Sequence, residues 1–258
     1  MREYKNKITL TKNGRGIYTL DPIIGCNSGL KYDDKGCFSD CYAARNAKRY
    51  GYDFSKNVLR YFDNENHIKS IVNKINKLDF PFIRMGNSGD PSEDWEHTIS
   101  IVEKLKGINK QIVIITKHWN KLDLSQLKRI KKLDLCINTS ISAIDEKLYD
   151  NIEQYELLKD YCKSVLRCVS FDFNLKNKKG AEYYLIQNWI FQNYEVLDTV
   201  FRCGKSNKMY KDGLINIKET KFLGKKCFVS KMNLKTYFGN CDSCLEKCGI
   251  NRLKNIIK

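Results

Sequence analysis

The stretch FPFIRMGNSGDPSEDW, residues 80–95, places an apolar run, a glycine-rich turn and a helix start in immediate succession. The run at 80–86 has the length and the aromatic and branched residues of a buried strand. The residues DPSE (90–93) then supply an N-cap, a proline at the first helical position and a glutamate at the third. These features predict one strand-turn-helix unit.

The same alternation recurs along the chain. Helix starts resembling 90–93 are found at DLSQ (123–126) and SAID (142–145), and another helix is predicted after Cys41. Alternating strands and helices are typical of parallel strands joined by crossover helices. The fold class predicted is therefore α/β, a partial (β/α)6-type TIM barrel. Its six strands are expected at 17–25, 80–86, 111–116, 133–140, 164–171 and 196–203.

This barrel is predicted to occupy residues 1–203. The remainder, 204–258, is rich in Lys, Gly and Cys and is predicted to form a small Cys-rich metal-binding extension. Within it, Cys227, Cys241, Cys244 and Cys248 have the spacing C-x13-C-x2-C-x3-C. Four thiolates with this spacing can close a zinc site or hold an auxiliary iron–sulfur cluster, and spacing does not separate the two.

Composition limits the class of protein. The chain has 258 residues, 42% of them hydrophobic, and contains no apolar run of the eighteen or more residues that a membrane span requires. The first residues, MREYKNKITLTKNG, lack the apolar segment of a signal peptide, so we expect a cytoplasmic protein without a membrane partner. Because cytoplasmic thiols stay reduced, the eleven cysteines favour metal binding over a disulfide scaffold.

The net charge of +16 makes nucleic acid a possible partner, because clustered cations bind phosphate. However, the charge comes from 36 lysines and 10 arginines that are spread along the chain without a basic block. A solvated lysine-rich surface explains the same composition.

Three cysteines, Cys26, Cys37 and Cys41, lie in the stretch GCNSGLKYDDKGCFSDCYAAR (25–45), at the end of the first predicted strand and in the loop that follows. A structural zinc ion requires four ligands, and the three histidines of the chain are distant in sequence. A [4Fe–4S] cluster can be held by three cysteines if its fourth iron is left for another ligand. The three thiols therefore favour an open cluster site, with zinc, another cluster or unliganded thiols as alternatives.

This stretch resembles the cluster loop of radical S-adenosylmethionine (SAM) enzymes, in which three cysteines follow the first barrel strand. More narrowly, GCFSDCYAAR (36–45), IRMGNSGDPSEDW (83–95) and IVIITKHW (112–119) resemble the phage gene product 88 group of radical-SAM-like proteins. The resemblance covers roughly residues 20–145. The spacing C-x10-C-x3-C differs from the common C-x3-C-x2-C, although loop length is free as long as the sulfurs converge.

The resemblance implies a cofactor set. Cys26, Cys37 and Cys41 would bind the [4Fe–4S] cluster, SAM would chelate its open iron, and Tyr42 would be the aromatic residue beside the third cysteine. A reducing partner such as flavodoxin or ferredoxin is implied as well. In this superfamily a glycine-rich segment after the second strand contacts the amino group of SAM. It corresponds here to Gly86, Asn87, Ser88, Gly89 and Asp90, although Asp90 as a plain helix N-cap needs no ligand.

Later strands offer further candidates. Ser140 and Ser142 could meet the ribose hydroxyls of SAM, although a cap role explains them equally well. Arg167 could pair with its carboxylate, since an arginine in an apolar strand is costly unless it is paired. Lys117, His118 and Asp172 would face the barrel mouth as candidates for substrate contact or proton transfer, with solvated loop positions as the alternative.

Two functions follow from these patterns. The first is a radical SAM enzyme with an unknown substrate. The second is a nucleic-acid-binding protein with structural metal sites, in which aromatics such as Tyr237 and Phe238 stack on bases. The missing fourth ligand near Cys26 favours the enzyme, because a purely structural site has little reason to stay open.

Overall fold

Parallel strands in chain order form the centre of the computed structural model, which describes residues 3–31, 41–222, 224–233 and 235–253. The strands in this part of the chain are β1 (Thr11–Lys12), β2 (Tyr18–Thr19), β3 (Ile23–Ile24), β4 (Val58–Leu59), β5 (Phe82–Met85), β6 (Gln111–Thr116), β7 (Leu135–Ile141), β8 (Lys163–Ser170), β9 (Asp172–Phe173), β10 (Val196–Cys203), β11 (Ile215–Asn216), β12 (Lys218–Phe222) and β13 (Lys225–Ser230).

The main sheet has the order β1-β2-β5-β6-β7-β8-β10-β13-β12. Its neighbours from β2 to β10 are parallel, whereas β1, β13 and β12 pair antiparallel at the two edges. The protein is therefore a mixed α/β structure with a large, mostly parallel sheet, as the alternation predicts.

All six predicted strands are present, although the first is divided. The predicted run 17–25 becomes β2 in the main sheet and β3, which pairs with β4 instead. Pro22 lies between the two parts, and a proline has no N–H to donate to a strand ladder. The division carries the chain away from the main sheet just before Cys26.

Helices follow most strands of the main sheet. Their bounds in the described residues are α1 (Asn27–Leu30), α2 (Tyr42–Arg49), α3 (Glu65–Asn76), α4 (Trp95–Lys104), α5 (Leu124–Ile130), α6 (Leu148–Leu158), α7 (Lys178–Asn193), α8 (Lys208–Lys211) and α9 (Ile250–Leu253). Across the ranges that the structure describes, none of them is both long and apolar enough to cross a membrane.

Two of the three predicted helix starts are confirmed. Asp90 caps a short 3-10 turn, Pro91–Glu93, that leads into α4, and Asp123 forms a capping box with Gln126 at the start of α5. The start predicted at 142–145 is wrong, because α6 begins only at Leu148.

The two faces of the sheet differ. Helices α3 to α7 pack on one face, where alternate strand residues such as Ile83, Ile114 and Ile137 meet helix residues such as Ile99 and Leu127. We call the opposite side the inner face. It carries an apolar cluster that includes Phe82, Val113, Cys136, Val165 and Leu197.

The predicted extension shares this core. β13 pairs with β10, Cys241 and Cys248 pack in the inner-face cluster, and the Cys241 N–H donates a hydrogen bond of 2.9 Å to the Arg15 carbonyl. Residues after 203 therefore add strands to the main sheet and close part of the inner face.

Candidate functional site

The structure brings two of the three clustered cysteines together. Cys26 follows β3, and Cys41 is the N-cap residue of α2. Both belong to one apolar cluster that contains Phe54 and Trp119. Cys37 lies outside the described residues, so the third predicted ligand has no placement here.

The environment of the Cys41 thiol suits a metal ligand. Burial raises its pKa, while the backbone N–H groups of Ala44 and Ala43 and the charge of Arg45 act in the opposite direction. These groups stabilise a negative sulfur at the start of a helix. Because metal binding replaces the thiol proton, a cation would remove the penalty that burial imposes on the free thiolate.

A buried aspartate organises the loop after β5. The Asp21 carboxylate accepts hydrogen bonds from the backbone N–H groups of Gly86 (3.0 Å), Asn87 (2.9 Å) and Ser88 (3.1 Å). Burial raises the pKa of Asp21, while the hydrogen bond from Asn87 and the positive charge of Arg84 lower it. Three backbone donors on one carboxylate hold this loop at the carboxyl end of the sheet.

Two glycines of this loop are required by close backbone contacts. Gly86 has φ +89°, and a Cβ atom there would overlap the Ile115 carbonyl oxygen. A Cβ atom at Gly89 would overlap the carbonyl oxygens of Ile23 and Gly25, and the Gly25 N–H donates to the Ser88 carbonyl at 3.0 Å. The loop is thus packed against the strand that leads to Cys26.

Asp90 is the N-cap residue that its sequence context predicts. Its carboxylate accepts from the backbone N–H of Ser92 (2.9 Å) and of Lys117 (2.8 Å) and from the Thr116 hydroxyl (2.7 Å). Burial raises the pKa of this carboxyl group. These contacts occupy both of its oxygens and join the loop after β5 to the end of β6.

A cavity of about 310 Å³ opens beside Cys41, between α2 and the carboxyl ends of the parallel strands. It has room for a small molecule, and ligand sites of α/β proteins are common at this end of the sheet. Eight predicted site residues line it: Cys41, Tyr42, Gly86, Gly89, Asp90, Lys117, Ser140 and Ser142.

An ion pair lies at the wall of this cavity. The Lys117 ammonium is 2.6 Å from the Asp145 carboxylate, and the two side chains are only 15% and 13% exposed. Asp145 also accepts from the backbone N–H of Ser142 (2.7 Å) and from its hydroxyl (2.8 Å). Lys117 and Ser142 are therefore held by one carboxylate, which the helix start predicted at 142–145 did not anticipate.

Other predicted residues lie elsewhere. His118 is 2% exposed, packs against Trp95 and contacts the Thr139 hydroxyl through Nε2 at 2.9 Å, so it does not face the mouth as expected. Burial lowers the pKa of His118 to about 3. Asp172 lies on β9, where it accepts a hydrogen bond from Asn216 (3.2 Å).

Asn87 and Arg167 line a second cavity, which adjoins the first on the inner face. The Asn87 amide oxygen accepts from Arg84 at 2.8 Å and from Asn13 at 3.1 Å. The Ser88 hydroxyl accepts from the Asn87 amide at 3.2 Å. The polar side chains of this loop thus bond mainly to one another and to inner-face residues.

The C-terminal cysteines are not assembled into a ligand set. Cys241, Cys244 and Cys248 line one cavity, whereas Cys227 lies on β13 near Arg202. Within the part of the chain that the structure describes, no three Cys, His, Asp or Glu residues are grouped to hold a metal ion. The four-thiolate site stays a prediction.

The aromatic residues proposed for base stacking are also engaged. The Tyr237 hydroxyl donates to the Asn240 carbonyl at 2.5 Å, and Phe238 packs on Phe222 with ring centroids 5.1 Å apart. These contacts explain both residues without a bound nucleic acid.

Two charged residues of the site, Asp21 and Arg84, were not predicted from the sequence. Asp21 lies inside the apolar run IYTLDPIIG (17–25), and Arg84 lies inside FPFIRMG (80–86). A charged residue in an apolar strand requires a partner, which is the reasoning that identified Arg167. The same signal could have identified both.

Comparisons of the chain with protein-family models, with curated proteins and with solved structures gave no match.

Proposed function

We propose that the protein is a radical SAM enzyme built on a partial (β/α) barrel, with Cys26, Cys37 and Cys41 as the ligands of a [4Fe–4S] cluster. The observation that carries this proposal is the position of Cys41. Its thiol shares an apolar cluster with Cys26 and lines a cavity together with Gly86, Gly89 and Ser140.

The donor set fits the group. Cys26 and Cys41, on separate segments, share one apolar cluster, Cys41 lines the cavity, and the third cysteine precedes Cys41 by four positions. When bound, a [4Fe–4S] cluster carrying SAM supplies reductive cleavage of the sulfonium bond and a 5′-deoxyadenosyl radical for hydrogen abstraction.

The protein's own residues would bind and orient the reactants. The loop 86–89, fixed by Asp21, presents its backbone to the cavity beside Cys41. Phe54 and Trp119 pack in the same apolar cluster as the two cysteines and would exclude water from them. The pair of Lys117 and Asp145 holds Ser142 at the cavity wall.

The test is SAM cleavage by anaerobically reconstituted protein with dithionite, measured as 5′-deoxyadenosine. We expect product from the wild type and from Cys162→Ala, a cysteine on the helix side of the sheet, and none from Cys41→Ala. Iron-loaded wild-type protein that forms no 5′-deoxyadenosine would contradict the proposal.

A further inference from the structure

Four of the ten arginines line one cavity on the inner face. Arg84 lies on β5, Arg167 on β8 and Arg202 on β10, while Arg15 comes from the turn between β1 and β2. We call this space of about 350 Å³ the arginine cavity. It adjoins the cavity beside Cys41, and Tyr42, Gly86, Ser140 and Arg202 line both.

The carboxylates that interact with these arginines or share a cavity with them lie outside the arginine cavity: the charge of Arg84 acts on the buried Asp21, and the four arginines also line a neighbouring cavity with Asp198 and Glu246. Among the described residues that line the arginine cavity there is no Asp or Glu. Arg15 donates to the Gly239 carbonyl at 2.8 Å, and Arg84 donates to the Asn87 amide oxygen at 2.8 Å. Arg202 lies over the rings of Tyr42 and Phe222, at 5.8 Å from each centroid. Neutral groups thus contact three of the four arginines inside this cavity, Arg15, Arg84 and Arg202.

Arg84 also has an unsatisfied donor. Its Nε atom is buried and has no hydrogen-bond partner. Since buried donors in folded proteins are nearly always paired, this nitrogen is a donor that the protein itself does not satisfy.

The electrostatics agree with this interpretation. Burial lowers the pKa of Arg167, and the positive charges of Arg84 and Arg15 lower it further. Arg129 shows the opposite case within the same chain, because the hydrogen bonds that it donates to Glu103 and Glu96 raise its pKa. The chain therefore pairs Arg129 with carboxylates at the surface, whereas the groups that act on Arg167 are other arginines and the thiols of Cys248 and Cys241.

We propose that the arginine cavity binds a small phosphorylated molecule through its phosphate oxygens. One guanidinium group suffices for a carboxylate such as that of SAM, whereas several match the multiple charged oxygens of phosphate groups. The volume suits a small molecule and excludes a nucleic-acid duplex. That this molecule is the substrate rests on the proposed radical SAM function, whereas the binding itself does not.

Isothermal titration calorimetry of the full chain with sodium pyrophosphate, in the absence of SAM, tests the proposal. The double variant Arg84→Gln/Arg167→Gln should bind pyrophosphate about tenfold more weakly or worse. The control Lys128→Gln/Lys132→Gln removes the same charge from exposed positions on and after α5 and should bind like the wild type. Equal affinity of the two double variants, or no binding to the wild type at millimolar pyrophosphate, would overturn the proposal.

Thermal unfolding separates binding from folding. Because Arg84 donates to Asn87 and its charge acts on Asp21, the double variant should lose some stability, but pyrophosphate should raise the unfolding temperature of the wild type and not that of the double variant. An equal rise in both proteins would count against the proposal.

The last measurement is binding of a single-stranded DNA 12-mer. If the 12-mer binds, pyrophosphate does not, and the double variant loses the DNA, then the cavity serves a nucleic-acid strand and the small-molecule proposal is wrong. Pyrophosphate binding without any SAM cleavage would retain this inference and reject the radical function. SAM cleavage without pyrophosphate binding would retain the radical function and reject this inference.

Discussion

The Asp21 carboxylate accepts a hydrogen bond of 3.0 Å from the backbone N–H of Gly86, across the gap between two parallel strands. This contact ties the loop after β5 to the segment that leads to Cys26. The candidate site therefore depends on one buried acid that touches neither the cluster ligands nor the cavity beside Cys41.

Replacing Asp21 with asparagine should destabilise the protein. The new amide would direct a donor at one of the backbone N–H groups that now donate to the carboxylate, so the free energy of unfolding should fall by about 1–3 kcal/mol. Urea unfolding measures the loss. Asp79→Asn, at an exposed position, should be neutral within about 0.5 kcal/mol. A neutral effect at Asp21 would mean that the loop holds its shape without the carboxylate.

Gly86 offers a matched test of the close contact beside the cavity. Gly86 and Gly107 both have φ +89°, but a Cβ atom at Gly107 meets nothing within 4 Å. Gly107→Ala should therefore cost only the backbone strain of about 1–2 kcal/mol. Gly86→Ala should cost more, because its Cβ atom meets the Ile115 carbonyl, and should weaken SAM binding as well. If Gly86→Ala and Gly107→Ala lower the unfolding free energy equally, then the loop at Gly86 relaxes to accommodate the new Cβ atom.

The pair of Lys117 and Asp145 should behave as a structural unit. Removing one partner leaves a partly buried charge, so Lys117→Met and Asp145→Asn should each lower the unfolding free energy by about 1–3 kcal/mol. The double variant should lose less than the sum of the two, as a double-mutant cycle measures. Additive losses would indicate that the ammonium acts independently, as the predicted role in substrate contact requires.

His118 should make stability depend on pH. Its folded pKa of about 3 lies below the ordinary value of about 6.5, so between these pH values the unfolded chain binds a proton that the folded protein does not. The free energy of unfolding should therefore rise by about 1.4 kcal/mol per pH unit across that window and level off above it.

His118→Phe should remove this contribution to the slope. Thr139→Val removes the same hydrogen bond but keeps the titrating ring, so it should lower stability without flattening the slope. Urea unfolding measured from about pH 4.5, inside this window, to about pH 7.5, above it, provides the comparison. An unchanged slope in His118→Phe would mean that the ring is protonated in the folded protein.

The two predicted metal sites should be independent. Cys37→Ala should abolish SAM cleavage while any metal bound by the C-terminal cysteines is retained, as metal analysis of the purified protein would show. Equal loss of both metals would contradict separate sites.

The sequence predicts the strands well because each is a short apolar run bounded by polar turns. It predicts the ends of the helices less well, since a capping pattern is local and tertiary contacts can take its residues. Asp145 illustrates this, because its carboxylate accepts from the Ser142 N–H as a capping pattern predicts and also binds Lys117, yet the helix begins only at Leu148. Arg84 and Arg167 are far apart in the chain, so only the folded sheet shows that they share one cavity.

The most direct test of the central claim is electron paramagnetic resonance of the anaerobically reconstituted, dithionite-reduced protein with and without SAM, alongside iron, sulfide and zinc analysis. The account predicts a reduced [4Fe–4S] signal that changes when SAM is added and that Cys41→Ala lacks. Zinc without iron after anaerobic reconstitution would contradict it, and the cysteine loop would then be a structural element.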